Sequence, residues 1–155
     1  MEISIRRGTV LDAEAVSAFV TALSEAYIAC EFTPEGRRHF LREHSASEVK
    51  DRLNSDFRFY IAEHRGELVG LAAIRSNAHL YYLFVAPALQ GTGLAHRLWS
   101  QVREESMALG NPGTFTVNSS NYAVRAYEKL GFRRTDGTKE SNGVFYNPME
   151  FVSAA

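Results

Sequence analysis

The sequence has very little cysteine and no long apolar run. Cys30 is the single cysteine among 155 residues, so an internal disulfide is excluded and a reducing compartment is indicated. A lone cysteine is usually a small buried apolar side chain, so Cys30 is interpreted as structural rather than nucleophilic. No run approaches the ~20 apolar residues of a membrane span, and the first residues lack the apolar core of a signal peptide. We therefore expect a cytoplasmic protein with no membrane contact.

The sequence also lacks a charge excess of either sign. It has 17 Lys and Arg against 18 Asp and Glu, for a net charge of -1. This balance argues against a general nucleic-acid or membrane-surface role. The five histidines do not follow a metal-ligand spacing, so we expect no metal. The length is that of one ordinary domain, predicted to span residues 1–155.

Apolar periodicity predicts the order strand, helices, three strands, helix, strand, helix, two strands. Alternation predicts strands at 2–7, 57–62 and 68–74, the last two forming a hairpin. Helical spacing follows Asp12, and shorter helices are expected after Thr33 and Ser45, which are good caps. Later strands are expected near 115–117, 132–135 and 144–151, joined at the end by a polar turn over 137–143. This order indicates an α/β fold with a mixed sheet.

Residues 79–98 form the most informative stretch. A continuous apolar and aromatic run from His79 predicts a buried strand that ends near Val85, before Pro87. Helical spacing begins at Leu94, after a loop that holds Gly91 and Gly93. A helix N-terminus leaves backbone N–H groups unpaired and carries a partial positive charge, so this loop is a candidate cradle for a pyrophosphate.

The glycine loop by itself leaves an alternative open, namely a strand-to-helix turn that binds no ligand. Two other phosphate motifs are excluded. The Gly-x-x-x-x-Gly-Lys-Ser/Thr pattern of a P-loop is missing. The dinucleotide fingerprint needs a small residue where His96 stands and an acidic residue further downstream, and neither is present.

A third pattern does match. Gln90-Gly-Thr-Gly93-Leu-Ala95 resembles the acetyl-CoA signature (Gln/Arg)-x-x-Gly-x-(Gly/Ala) of the GCN5-related N-acetyltransferases, or GNAT superfamily. Downstream, Tyr127-Glu-Lys-Leu-Gly131-Phe resembles the end of that family's helix after the next strand. The two motifs stand in the family's order, and the resemblance covers roughly residues 68–151.

The resemblance implies the GNAT fold: a mixed, mostly antiparallel sheet of about seven strands with flanking helices. It implies that the strands ending at Val85 and Val117 splay apart to admit the pantetheine arm of acetyl-CoA, the expected co-substrate. The expected cofactor-binding residues come from the first splayed strand, the glycine loop and the segment after the second strand: Leu83, Phe84, Val85, Gln90, Gly91, Thr92, Gly93, Leu94, Ala95, Asn118, Ser120 and Asn121. For Asn118, Ser120 and Asn121, helix capping is the alternative to cofactor contact.

The resemblance also implies direct acetyl transfer to a primary amine of a small molecule or peptide. Tyr127 is then the predicted general acid for the thiolate, the alternative being a tyrosine packed in the core. Many family members place a glutamate on the central strand, but residues 68–85 contain no Asp or Glu. His79 stands near that place and is predicted to share a strand face with Tyr81, Leu83 and Val85. It is the candidate base, with an ordinary exposed histidine as the alternative.

Other bases are left open, namely water and three glutamates: Glu25, Glu31 and Glu150. The missing carboxylate also leaves a second function open, a non-catalytic acyl-CoA-binding or sensory module on the same fold. Charges of both signs alternate over residues 27–44, so the acceptor amine cannot be identified. Exposed sheet edges leave room for a homodimer.

Overall fold

A computed structural model describes residues 2–153 as one sheet with helices on both faces. The strands are β1 (Ser4–Arg7), β2 (Phe57–His64), β3 (Glu67–Arg75), β4 (His79–Val85), β5 (Thr114–Ser119), β6 (Arg133–Arg134), β7 (Lys139–Ser141) and β8 (Val144–Val152). The helices are α1 (Ala13–Tyr27), α2 (Pro34–Glu43), α3 (Ala46–Leu53), α4 (Leu94–Ala108) and α5 (Val124–Leu130), with 3₁₀ turns at Val10–Asp12, Ala29–Glu31 and Pro87–Leu89.

The sheet order is β1-β2-β3-β4-β5-β8-β6, with β7 paired to β8. Every pairing is antiparallel except that of β4 with β5, which are joined through α4. This parallel pair is short: only His79 and Leu80 of β4 lie opposite β5 residues. The two central strands therefore diverge from Tyr81 onward, and the predicted α/β fold with splayed strands is confirmed.

Two apolar cores cover the two faces of the sheet. On β2, Tyr60 and Ala62 pack in one core with Leu98 and Trp99 of α4, while Phe59 and Ile61 pack in the other. That second core also holds residues of α1 and α3. Successive side chains of a strand point to opposite faces of the sheet. Both sets are apolar in β2 because helices cover both faces.

A β-bulge in β4 corrects one prediction. Leu80 and Tyr82 lie opposite the adjacent residues Ile74 and Ala73 of β3, which leaves Tyr81 without a partner. The extra residue resets the alternation of faces. Tyr81 packs against the core of α1 and α3, whereas Leu83 and Val85 pack against the core of α4. The expectation that Tyr81 shares a face with Leu83 and Val85 was wrong.

Residues 2–153 form eight strands rather than about seven. The polar segment expected to be a turn contains β7, which forms a hairpin with β8 across Asn142 and Gly143. Both turn residues have positive φ, 53° and 79°. Asn-Gly is the preferred pair for such a two-residue turn, so the sequence did carry a signal for this hairpin.

Helix ends follow local chemistry. Thr33 and Ser45 accept hydrogen bonds from the backbone N–H of Gly36 and Glu48, as N-caps of α2 and α3. Helix α5 begins at Val124, because residues 121–123 form a turn in which Ser120 Oγ accepts from the N–H of Ala123 at 3.1 Å. Among residues 2–153, no helix is both long and apolar enough to cross a membrane.

Candidate active site

The splay between β4 and β5 leaves one edge of β4 without a strand partner. Beyond the end of β4, Ala86 donates its N–H to the carbonyl of Val69 on β3 at 2.8 Å. Successive residues of a strand direct their backbone groups to opposite edges. Leu83 and Val85 therefore direct their N–H and C=O groups away from β3, toward the opening. An extended ligand with amide groups could pair there as an added strand.

The glycine loop ends at an uncapped helix. Gly91 and Gly93 have φ values of +80° and +88°, and a Cβ built on either would have no atom within 4 Å. Gly93 is the N-cap of α4 and supplies no side-chain hydrogen bond. Among the described residues, no hydrogen bond engages the N–H groups of Gly93, Leu94 or Ala95. The backbone here is strained for any residue but glycine, and it presents free donors toward open space.

These free donors face a cavity of about 570 Å³, which we call the loop cavity. Its walls come from β4, the glycine loop, the first turn of α4 and helix α5. Of the predicted cofactor residues it contains eight: Leu83, Phe84, Val85, Gln90, Gly91, Gly93, Leu94 and Ala95. Thr92 does not line it, because its hydroxyl is turned to donate to the carbonyl of Leu89.

A second cavity, of about 400 Å³, lies on the other side of the splay. We call it the aromatic cavity. It is lined by the end of α1, helix α2, strand β4, the β5–α5 segment and the β7–β8 hairpin. The hairpin reaches it by packing on α2: the N–H of Thr33 donates to the carbonyl of Gly143, and a Cβ on Gly36 would stand 2.1 Å from that oxygen.

Tyr127 lies where the two cavities meet, and it lines both. Its side chain is 8% exposed and contacts Phe132 edge-on, with ring centroids 5.5 Å apart. Burial raises the pKa of its phenol above the ordinary value, so the hydroxyl keeps its proton at neutral pH. Among the described residues, Tyr127 is the one tyrosine that lines both cavities, and it is also a core residue. Its two interpretations, general acid and packed core residue, are therefore compatible.

His79 lines the aromatic cavity at the start of β4. Its Nδ1 lies 2.7 Å from Thr116 Oγ1 on β5. Burial, aided by the nearby Arg75 guanidinium, lowers its pKa to about 4, so the ring is neutral at physiological pH. If Nδ1–H donates to Thr116, then Nε2 is a free acceptor. In the other tautomer Thr116 donates and Nε2 carries the proton.

The glutamates suggested by the sequence do not line either cavity. Glu25 is paired with Arg37, and Glu31 accepts a hydrogen bond from Asn121 Nδ2 at 3.0 Å. Glu150 lies in β8 opposite Thr116. The carboxylate that does line the aromatic cavity is Glu43, near the end of α2, and sequence reasoning passed over it because it stands in a segment of mixed charge.

The three polar residues predicted at the end of β5 and just after it, Asn118, Ser120 and Asn121, have different surroundings. Asn118 is the last-but-one residue of β5 and lines the aromatic cavity, as does Ser120, whose hydroxyl caps the turn before α5. Asn121 lines neither cavity: it bridges Glu31 to Asn147 of β8, whose Nδ2 donates to Asn121 Oδ1 at 2.7 Å. Ser120 therefore has a capping hydrogen bond and Asn121 a bridging one, and contact of these residues with the cofactor stays a prediction.

The sequence did not indicate a hydrogen-bonded set of three polar side chains at the wall of the aromatic cavity. His44 Nδ1 lies 2.5 Å from the hydroxyl of Tyr82, which accepts a hydrogen bond from Arg52 at 3.1 Å. Burial, with help from Arg52, lowers the pKa of His44 to about 3, so the ring is neutral. Because Arg52 only donates, the hydroxyl proton of Tyr82 is available to His44 Nδ1. Nothing in the local sequence places a helix-end histidine beside a strand tyrosine.

Cys30 is exposed, not buried as expected. It lies in the 3₁₀ turn that follows α1, where the chain passes the opening of the splay, and it lines neither cavity. Within residues 2–153, no group of three or more His, Cys, Asp or Glu side chains is arranged to hold a metal ion.

Comparison with known proteins identifies the family of this chain. Residues 28–153 match the family model of the acetyltransferase (GNAT) domain. The chain belongs to this family. A curated acetyltransferase of Pectobacterium atrosepticum is 35% identical over 95 residues, which are 57% of this chain and 67% of that protein. The predicted family is therefore confirmed, and acetyl-CoA is the acetyl donor that this family uses.

Solved structures of low sequence identity share the GNAT fold. A GCN5-related N-acetyltransferase from Rhodopseudomonas palustris superposes with a TM-score of 0.81 at 21% identity, over 99% of this chain and 97% of that chain. The PaiA N-acetyltransferase of Thermoplasma acidophilum, solved in complex with coenzyme A, gives 0.82 at 18% identity, over 99% of this chain and 100% of that chain. At these identities the likeness concerns the fold.

Proposed function

We propose that the protein is an N-acetyltransferase that transfers the acetyl group of acetyl-CoA directly to a primary amine. The observation that supports this most is the junction at Tyr127, where a cavity with free backbone donors meets a cavity with room for an acceptor. In the transfer, the amine nitrogen bonds to the acetyl carbon and the carbon–sulfur bond breaks. The amine loses a proton, the thiolate gains one, and the products are an N-acetyl amine and free coenzyme A.

Acetyl-CoA would occupy the loop cavity. Its pyrophosphate would lie on the free N–H groups at the start of α4, where the helix dipole favours an anion. Its pantetheine amides would pair with Leu83 and Val85 on the open edge of β4. Lys129 lines the same cavity and is exposed, which places a cation within reach of the phosphates. The acetyl-CoA signature over residues 90–95 does not include this lysine.

Tyr127 would protonate the departing thiolate. The phenol keeps its proton at neutral pH and can donate it as the carbon–sulfur bond breaks. Its raised pKa makes it a weaker acid than a thiol with a reference pKa of ~8.5, so this role depends on the position of Tyr127 beside the sulfur. His79 would accept the amine proton, directly or through water, in the tautomer whose Nε2 is free. Its lowered pKa keeps the ring neutral but makes it a weak base, so its contribution is smaller than that of Tyr127.

Two measurements test the proposal. Calorimetry with acetyl-CoA should show binding, and release of the coenzyme A thiol should depend on the presence of an amine. Binding without thiol release for any amine would instead favour a non-catalytic acyl-CoA-binding module on the same fold. Absence of binding would refute the assignment of the loop cavity.

A further inference from the structure

The aromatic cavity is lined by a continuous array of rings. Neighbouring centroids are 5.5 Å apart for Phe32 and Phe40, 4.3 Å for Phe40 and His44, and 5.4 Å for His44 and Tyr82. The array, which we call the ring wall, comprises Phe32, Phe40, His44, Tyr81, Tyr82 and Phe84. Phe145 and Tyr146 line the same cavity from β8.

Most of the rings that line the cavity keep part of their surface uncovered. Phe32, Phe40, Tyr81 and Phe84 are each only partly buried, as are the two aromatic residues from β8. The surface they leave uncovered faces the cavity they line. Aromatic faces and edges pair favourably with further rings at centroid distances of ~4.5–7 Å, and most neighbouring rings of the wall already lie in that range.

The aromatic cavity also has few charged side chains in its lining. Among the described residues, Glu43 is the single carboxylate that lines it, and its Oε1 already lies 3.1 Å from His39 Nε2. The described lining includes no Lys or Arg. Of its three histidines, His44 and His79 are neutral, and His39 is the one that pairs with Glu43. A second ammonium group on the substrate could pair only with Glu43, which already pairs with His39. Otherwise it would be unpaired, and an unpaired charge is costly to remove from water.

The reacting amine does not leave an unpaired charge in the cavity. It gives up its proton before transfer and becomes a neutral amide, which suits an apolar wall. We propose that the acceptor is a primary monoamine carried on an aromatic body, with its ring against the ring wall and its nitrogen at the Tyr127 junction. This substrate class deepens the proposed function and rests on it.

The test compares amines of matched shape. The value of kcat/KM is measured by thiol release for 2-phenylethylamine, 2-cyclohexylethylamine, putrescine and spermidine, after acetyl-CoA binding has been verified by calorimetry. We expect 2-phenylethylamine to exceed its saturated analogue by about threefold or more, the scale of one aromatic pair. It should exceed putrescine and spermidine by at least about tenfold, because their second charge stays unpaired.

Each other outcome overturns the inference in a recognisable way. Preference for putrescine or spermidine would refute the monoamine class and leave the proposed acetyl transfer intact. Equal values for the aromatic and saturated amines would refute the role of the ring wall. Bound acetyl-CoA with no turnover of any of the four amines would refute the substrate class, and adding short peptides to the panel would show whether acetyl transfer itself survives.

A pair of variants checks the location. Phe40 and Phe19 are both half-buried helix phenylalanines, but only Phe40 lines the cavity. Phe40→Leu should raise KM for 2-phenylethylamine about threefold or more with KM for acetyl-CoA unchanged. Phe19→Leu should change neither constant. Equal effects of the two variants would overturn the placement of the aromatic ring on Phe40.

Discussion

The loop cavity and the aromatic cavity share Tyr127 but are built on different principles. The loop cavity depends on backbone: free N–H groups, two glycines with positive φ and an open strand edge, most of them within residues 83–95. The aromatic cavity depends on side chains that arrive from five separate segments between residues 28 and 146. Backbone groups can bind the pyrophosphate of a co-substrate that does not vary, whereas the side chains determine which acceptor fits.

The comparison predicts that changes confined to the walls of one cavity alter the binding of one substrate, whereas changes at the two proposed proton-transfer residues, Tyr127 and His79, alter turnover. Four variants examine this, in order of decreasing effect.

Tyr127→Phe should give the largest effect. It keeps the ring and its contact with Phe132 and removes the proposed acid, so turnover should fall on the order of 10²-fold while acetyl-CoA affinity is nearly unchanged. Tyr60→Phe is the control, because Tyr60 is a buried tyrosine outside both cavities. Full turnover in Tyr127→Phe would show that water protonates the thiolate.

Gly93→Val should weaken acetyl-CoA binding by far more than tenfold, over ~1.4 kcal/mol. The branched side chain would occupy the open space before α4 and strain a residue with a φ of +88°. Gly110→Val carries the same kind of strain at the other end of α4, with a φ of +105° and no neighbour within 4 Å. Similar losses of affinity in both variants, by calorimetry, would mean that strain rather than the cradle is responsible.

Gly36→Ala should affect the aromatic cavity alone. The added Cβ would meet the carbonyl of Gly143 and force the β7–β8 hairpin away from α2. We expect KM for the acceptor amine to rise several-fold, on the order of 1 kcal/mol of lost packing, while KM for acetyl-CoA stays constant. Gly137→Ala, where a Cβ meets no atom within 4 Å, should be neutral. A rise in KM for acetyl-CoA would contradict the separation of the two cavities.

His79→Ala should have the smallest effect, below about tenfold, because a group with a pKa of about 4 is a weak base. The ring is neutral above its pKa and loses its basic form only as the pH falls through 4. Over pH 6 to 9 it is thus always competent, and the loss should be largest near pH 6, where the amine is fully protonated. Parallel pH profiles for variant and parent would assign the proton to water.

Much of the loop cavity could be predicted because its parts are contiguous. The run from His79, the break at Pro87 and the spacing of Gln90, Gly93 and Ala95 all act through local backbone geometry, which short-range patterns describe well. The fold class and the splay followed from element order and the family resemblance. The β7–β8 hairpin could also have been predicted from Asn142-Gly143.

The residues that surround the acceptor could not be predicted in this way. The bulge at Tyr81 turns it onto a different face from Leu83 and Val85, and no local pattern marks an extra residue in a strand. The exposure of Cys30, the bridge from Glu31 through Asn121 to Asn147, and the buried contact of His44 with Tyr82 depend on packing between distant segments.

The sequence by itself determined the order of the elements, the family and the backbone cradle, because strand alternation, helix spacing and glycine conformations are set by near neighbours. Only the tertiary structure decided what faces the acceptor: a wall of rings, one carboxylate and three histidines, of which His44 and His79 are neutral. Residues 32 and 146 are far apart in the chain, and they line one cavity because α2 packs on the β7–β8 hairpin through the close contact of Gly36 with Gly143.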